Sequence, residues 1–274
     1  MTAPIKTRYG EWAVVTGASE GIGRAFAVQL AGQGVNLVLV ARRETLLTQL
    51  ATELRLLHGV SCTVLAADLA DAGDVMRVID ATDSLDVGLL VAAAGFGTSG
   101  PLAAGSLHDE TAMLAVNCQA VLTLSWHFSR RFLARKRGAL VLLSSIVAFQ
   151  GVPLQAHYAA TKAYVQTLAE GLRIELAPHG VDVLAVAPGP VATGFAARAN
   201  LRMSKADTPG AVAAASLAAL GRATTVRPGF MGKLLGHSLA LLPRWGRLRV
   251  MTQVSKGMTA HQPRPSPVPD PSWR

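Results

Sequence analysis

The sequence predicts an α/β fold: one doubly wound parallel sheet with helices on both faces. Two observations predict it. Short apolar runs alternate with longer segments of helical period, the pattern of repeated strand-helix-strand units. A glycine-rich turn also follows the first apolar run and opens straight into a helical segment. With 274 residues, 50% hydrophobic and only 16% charged, the chain can bury one sizeable core. A single domain is expected over 1–261.

Strands are expected near 12–17, 35–41, 60–67, 86–93, 138–144 and 181–187, each a short run rich in Val, Leu and Ala. Helices are expected near 21–33, 43–57, 71–83, 107–137 and 155–179, with an Ala-rich helix near 208–220. Residues 262–274, QPRPSPVPDPSWR, hold five prolines and are expected to form an extended, disordered tail. Ligands of such a sheet bind beyond the carboxyl ends of the strands, where the strand order reverses. The residues that follow each strand are therefore the candidates.

Composition narrows the partners. Cys62 and Cys118 make no disulfide framework and lack metal-ligand spacing, and the seven histidines show no paired spacing, so no metal site is expected. No apolar run reaches the length of a membrane span and the N-terminus has no signal-peptide run, which gives a cytoplasmic expectation. The net charge of +9 raises nucleic acid or an anionic membrane as partners. Five cations in 130–138 read as a helix C-terminus answering its dipole, and no basic-aromatic element suits nucleic acid. From Arg222 onward nine Lys or Arg face one acid, Asp270. Within that region 229–251 mixes Leu, Trp245 and Arg, so a lid, a dimer contact and a peripheral membrane contact all stay open, while Pro243 and Gly246 are expected to interrupt any long helix.

The turn after the first strand is TGASEGIG, Thr16–Gly23. Gly17, Gly21 and Gly23 permit close backbone approach, and the amides around Ser19, Glu20 and Ile22 can face a pyrophosphate at the helix N-terminus. This makes the sheet Rossmann-type. The second strand ends VLVARRE, placing Arg42 and Arg43 where a carboxylate would otherwise bind the adenosine ribose, so NADP(H) is the expected cofactor. Glu20 works against a 2′-phosphate; arginine's forked contact is expected to prevail.

Tyr158 and Lys162 stand four apart in YAATK and share one helix face. An ammonium beside a phenol, together with the positive nicotinamide of an oxidised cofactor, favours phenolate, so the Tyr158 pKa is expected to fall, suiting it to exchange a proton with a carbonyl oxygen. Ser145 lies thirteen residues before Tyr158, at the end of the strand LVLLSS, where a hydroxyl could hold that oxygen; Ser144 is expected to be structural.

Taken together, the Thr-Gly-x-x-x-Gly-x-Gly loop and the Ser145, Tyr158 and Lys162 spacing resemble the short-chain dehydrogenase/reductase family over about residues 10–195. The resemblance implies that Asn117, in AVNCQA, is a fourth member of the site that holds a water in a proton path with Lys162. It further implies that Asp68 and Leu69 contact adenine, although Asp68 could equally cap a helix. Ala94 and Gly95 would approach the cofactor, and Pro188, Gly189, Val191 and Thr193 of PGPVAT would contact the nicotinamide. Two features depart from the family pattern. Ala92, Ala93, Ala94 and Gly95 replace Asn-Asn-Ala-Gly, costing a sheet hydrogen bond, and no Asp-Gly-Gly ending supports a tetramer. A homodimer through the helices near 107–137 and 155–179 is expected, with a tetramer as the alternative.

Phe149, Leu154 and Phe195, with Ile146, Val147, Val152 and Met203, predict an apolar substrate pocket or, alternatively, plain core packing. The implied activity is hydride transfer between NADP(H) and a hydrophobic carbonyl, 3-oxoacyl or steroid-like, near the 3-oxoacyl-CoA reductase and hydroxysteroid dehydrogenase branch. A non-catalytic NADP-binding or membrane-peripheral scaffold on the same fold is the competing reading.

Overall fold

The computed structural model describes residues 4–203, 206–229, 232, 239 and 241–262. The proline-rich tail expected over 262–274 lies, after Gln262, outside the described residues, as does most of 230–240.

Six strands fall where the sequence placed them: β1 (Trp12–Thr16), β2 (Asn36–Ala41), β3 (Cys62–Ala66), β4 (Val87–Ala92), β5 (Gly138–Leu143) and β6 (Val181–Val186). A short β7 (Thr225–Val226) joins them at the edge. The order is β3-β2-β1-β4-β5-β6-β7 and every neighbouring pair is parallel. The chain reverses direction across the sheet between β1 and β4, and Thr16 stands level with both Val40 and Ala92. Parallel pairing brings the carboxyl ends of all these strands to one rim.

Strand side chains alternate between two cores because the pleat has a period of two. Val15, Leu37, Leu39 and Val91 face α2 (Gly21–Ala31), α3 (Glu44–His58) and α9 (Pro209–Ala219). Val14, Val38, Val40 and Leu90 face α4 (Ala72–Asp80), α6 (Ala120–Arg135) and α7 (Ala156–Leu176). Each fully buried Leu or Phe in these layers contributes about 1.5–3 kcal/mol.

Four local findings differ from the sequence reading. A short α1 (Ile5–Tyr9) precedes β1, pinned to β6 by Tyr9 Oη and Arg8 Nη2, which donate to Asp182 at 2.9 and 2.7 Å. The helix expected over 107–137 is three pieces: α5 (Leu107–Leu114), a π-turn over Ala115–Gln119, and α6. Between β6 and α9 a short α8 (Phe195–Arg198) interrupts the loop. Of Pro243 and Gly246, both expected to interrupt any long helix, only Gly246 lies within one: α10 runs Arg244–Thr259 and begins directly after Pro243. Pro243 caps its start, where a missing N–H costs nothing, and Gly246 falls in the first turn.

Candidate active site

A cleft of about 770 Å³ opens at the rim, walled by the loops after β1, β2, β4, β5 and β6 and by α10. Its first wall is the Thr16–Gly23 turn. Glu20 caps α2 in extended conformation, but its side chain makes no cap hydrogen bond, so the first-turn amides face the cleft unsatisfied. Gly17 has φ +67°, and a Cβ there would meet Ala94 Cα at 2.9 Å; one on Gly23 would stand 2.3 Å from the Gly17 carbonyl oxygen. Backbone that close excludes any side chain and leaves a cradle for a pyrophosphate. Ser19, Gly21, Ile22, Ala94, Gly95, Pro188, Gly189, Val191 and Thr193 line the same cleft, as do Leu69 and Asp68.

Beyond β2, Arg42 and Arg43 also line the cleft. Glu20 does not stand alone as a repelling charge: Arg43 Nη2 lies 2.9 Å from its carboxylate and 3.2 Å from Ser19 Oγ. Arg42 approaches Asp68 at 3.9 Å. Asp68 does not cap α4; Asp71 does, accepting from the Asp74 amide at 2.9 Å. Asp68 instead accepts from the Ala70 amide at 3.1 Å.

At the other end stand Ser145, Tyr158 and Lys162, all buried. Ser145 stands two residues past the end of β5 and caps the 3-10 turn Ile146–Phe149, its Oγ accepting from the Val147 amide. Tyr158 and Lys162 share the inner face of α7, with Nζ 5.9 Å from the phenol ring. Lys162 Nζ donates to the Leu143 carbonyl at 2.7 Å, and Ser144 Oγ donates to the Lys162 carbonyl at 3.1 Å, so β5 and α7 are stitched together at this point. Phe195 packs against the Tyr158 ring, centroids 5.2 Å apart.

In the protein alone, burial dominates the acidity of both groups. Burial pushes Tyr158 up to about 12, with hydrogen bonding to Ser145 working the other way. Burial likewise pushes Lys162 down to about 8. Desolvation disfavours the charged form of each group. The phenol is thus held as a proton donor.

Asn117 sits in the π-turn, where the widened helix turns its side chain onto the loop after β4. Its Oδ1 accepts from the Phe96 amide at 3.1 Å, and its Nδ2 donates to the Phe96 carbonyl at 2.9 Å and to Thr161 Oγ1 at 3.0 Å. Both donor hydrogens are committed, so the side chain acts here as a positioning group for Phe96 and α7. Ala94 keeps its link to β1 without the missing amide, donating to Thr16 Oγ1 at 3.0 Å.

Three expected pocket residues lie elsewhere: Val152 is buried in a small apolar cluster with Ala159, Leu239 and Met251. Phe149 does not line the cleft; Arg227 lies over its ring at 4.4 Å. Leu154, at φ +64°, lines a smaller neighbouring cavity. The sequence reading missed Arg198 and the α10 residues Met251, Val254, Ser255 and Met258, which form the far wall. The recurrence of 251, 255 and 258 at helical spacing was the available signal. Among the described residues no His, Cys, Asp or Glu cluster could hold a metal, and no helix is long and apolar enough to cross a membrane.

A pyrophosphate cradle at one end and a buried phenol, hydroxyl and ammonium at the other define a nicotinamide-dependent oxidoreductase. Comparison with known proteins agrees. Residues 11–204 match the short chain dehydrogenase family. The chain is 34% identical over 189 residues to a 7beta-hydroxysteroid dehydrogenase of Collinsella aerofaciens, covering 69% of this chain and 72% of that one. It is 34% identical over 221 residues to a very-long-chain 3-oxoacyl-CoA reductase of Phaeosphaeria nodorum, covering 78% of this chain and 64% of the other. A solved 7beta-hydroxysteroid dehydrogenase superposes with TM-score 0.85 at 31% identity, covering 91% of this chain and 99% of the other. A short-chain dehydrogenase from Sphingobium yanoikuyae in complex with NADPH superposes with TM-score 0.76 at 30% identity, covering 84% and 92%. The chain belongs to the short-chain dehydrogenase/reductase family. It is an oxidoreductase acting on CH–OH groups and their carbonyl counterparts.

Proposed function

We propose that the protein reduces a hydrophobic ketone with NADPH, or runs the reverse oxidation, using Ser145, Tyr158 and Lys162. The observation that carries this reading is the buried Tyr158 phenol, paired with Ser145 and held protonated at the end of a dinucleotide-sized cleft. The cofactor, when bound, supplies or accepts the hydride. Gly17, Gly21 and Gly23 seat its pyrophosphate, and Arg42 and Arg43 meet the ribose phosphate. Ser145 Oγ holds the carbonyl oxygen, and Tyr158 Oη gives that oxygen its proton as carbon is reduced. Lys162 fixes α7 against β5 and places a cation beneath the site.

Apolar side chains support a hydrophobic substrate: Ile146, Val147, Phe195, Met203, Met251 and Met258 surround the phenol end. The relatives' names include a steroid and a 3-oxoacyl thioester, both large apolar carbonyl compounds. Two buried free thiols suit a reducing, cytoplasmic setting. The exposed Leu122 and Trp126 of α6 and Tyr164 of α7 suit a homodimer through those helices, checked by light scattering of wild type and Trp126→Glu. The outer face of α10 suits a peripheral contact with an anionic bilayer. Residues 208–262 contain no Asp or Glu, and Trp245 on α10 and Leu241 just before it are 68% and 88% exposed, with Arg244 and Arg249 near them in sequence.

The test is a panel of steroid-like and 3-oxoacyl carbonyls with NADPH and with NADH. NADPH-dependent reduction of apolar members is expected; reduction of none of them overturns the reading.

A further inference from the structure

The short helix α8 lies directly on the Thr16–Gly23 turn. A Cβ on Gly194, the residue that caps α8, would stand 3.2 Å from the Glu20 carboxylate, and one on Gly21 would meet Thr193 Cγ2 at 3.0 Å. The far end of α8 is held from the other side. Ser99 Oγ donates to the Ala199 carbonyl, Gln262 Nε2 donates to the Asn200 carbonyl at 2.7 Å, and the Leu201 amide donates back to the Ala196 carbonyl at 2.8 Å. α8 is therefore pinned at both ends and forms a roof that starts over the phosphate cradle.

Arg198 is the last residue of that roof and lines the cleft. Its guanidinium carbon stands 3.8 Å from the centre of the Phe96 ring. Stacking on an aromatic face holds a guanidinium in place without engaging its N–H donors. Among the described residues those donors make no hydrogen bond or ion pair. The charges around Arg198 belong to the adenosine end of the cleft. Burial holds its pKa below the ordinary value and Arg42 lowers it further, while Asp109, Asp68 and Glu20 work the other way. Of these acids Glu20 is already matched by Arg43 at 2.9 Å, and Asp68 is approached by Arg42 at 3.9 Å. Two arginines that disfavour each other's charge within one cleft favour an anion that both can meet.

We propose that Arg198 is a roof-side ligand of the cofactor's diphosphate, closing from α8 the cradle that Gly17, Gly21 and Gly23 form on the other side. The first-turn amides of α2 supply donors from the cradle; the Arg198 guanidinium supplies a forked pair of donors and a full charge from the roof. Arg42 and Arg43 keep the ribose phosphate. The proposal concerns the cofactor site alone and holds whichever carbonyl compound is reduced.

The experiment measures equilibrium affinity by titration, without turnover, for wild type, Arg198→Met and Arg198→Lys. Four ligands are compared: NADPH, NADH, ADP-ribose, which has the diphosphate and no 2′-phosphate, and adenosine 2′-monophosphate, which has the reverse. Arg198 is exposed, so both variants should fold as wild type does. Arg198→Met should weaken NADPH, NADH and ADP-ribose alike by about tenfold, the size of one charge-assisted contact, and leave adenosine 2′-monophosphate unchanged. Arg198→Lys keeps the charge but loses the fork, and should recover part of the loss. A loss confined to NADPH and adenosine 2′-monophosphate would assign Arg198 to the ribose phosphate and overturn the proposal. Unchanged affinity for ADP-ribose overturns it as well, and a raised KM for a carboxylate-bearing ketone in the same variant would then give Arg198 to the substrate.

Discussion

Lys162 Nζ donates to the Leu143 carbonyl at 2.7 Å and stands 5.9 Å from the ring of Tyr158, its neighbour one helical turn back. The ammonium therefore braces the strand-helix junction in addition to charging the site. Burial lowers its pKa from 10.5 to about 8, so between those values the unfolded chain holds a proton there that the folded protein has shed. Stability rises with pH wherever the unfolded state binds more protons. Relative to Lys162→Met, the wild type should gain stability as pH climbs from about 8 to 10.5, in urea melts of the two proteins side by side. Tyr158 has the opposite sign, raised from 10 to about 12, and is common to both proteins, so it drops out of the comparison. A parallel pair of stability curves would refute this account of Lys162.

Asn117 ties three segments together through its bonds to Phe96 and Thr161. Removing the amide leaves both backbone groups of Phe96 buried without that partner, at about 1–3 kcal/mol for each unsatisfied group. Asn117→Ala should lose about 2–6 kcal/mol in denaturant melts, by the same principle. Its kcat should fall more than its affinity for NADPH rises or falls, because the loop that shifts abuts Lys162. Unchanged melting would remove the positioning role.

Cofactor choice is assigned to Arg42 and Arg43, and the Glu20–Arg43 ion pair makes a sharper prediction than the arginines alone. Both groups are half exposed, so the pair itself adds little stability. Arg42→Ala with Arg43→Ala should lower the NADPH-over-NADH ratio of kcat/KM by about a hundredfold, the size of a lost pair of charge-assisted contacts. Glu20→Gln should move it the other way by a few fold, because the freed Arg43 no longer divides its donors. Retained NADPH preference in the double variant would place the discrimination elsewhere.

The acid-free outer face of α10 predicts binding to anionic vesicles and weak binding to neutral ones, falling with salt. Trp245→Glu should reduce co-sedimentation about tenfold, a loss of the order expected for moving one interfacial aromatic out of the membrane surface. Equal partitioning of the full chain into charged and neutral vesicles, or none into either, would leave that face to a protein contact instead.

Strand positions were legible because six apolar runs each end in a small or polar residue, and period-two burial follows directly from such runs. The site was legible where chemistry is local: the glycines, the Tyr158 and Lys162 spacing, Ser145 at a strand end. What escaped was set by tertiary context. β7 is two residues, Thr225 and Val226, too short for any pattern. Gly246 read as a breaker and sits inside the first turn of α10. Phe149 and Leu154 sit between Ser145 and Tyr158 in sequence, yet the 3-10 turn after Ser145 swings Phe149 to Arg227, and the left-handed backbone at Leu154 turns it to the side cavity. Helical spacing also reports the proximity of Tyr158 to a cation and says nothing of how much water is removed from both groups.

The central claim is that the Tyr158 phenol delivers the proton that accompanies hydride transfer. Its most direct measurement is single-turnover oxidation of bound NADPH by an apolar ketone in wild type and Tyr158→Phe, with NADPH affinity determined by titration on the same samples. The account predicts a rate lower by a factor of about 10² to 10⁴, with affinity within a few fold of wild type. A Tyr158→Phe protein that turns over at the wild-type rate contradicts it.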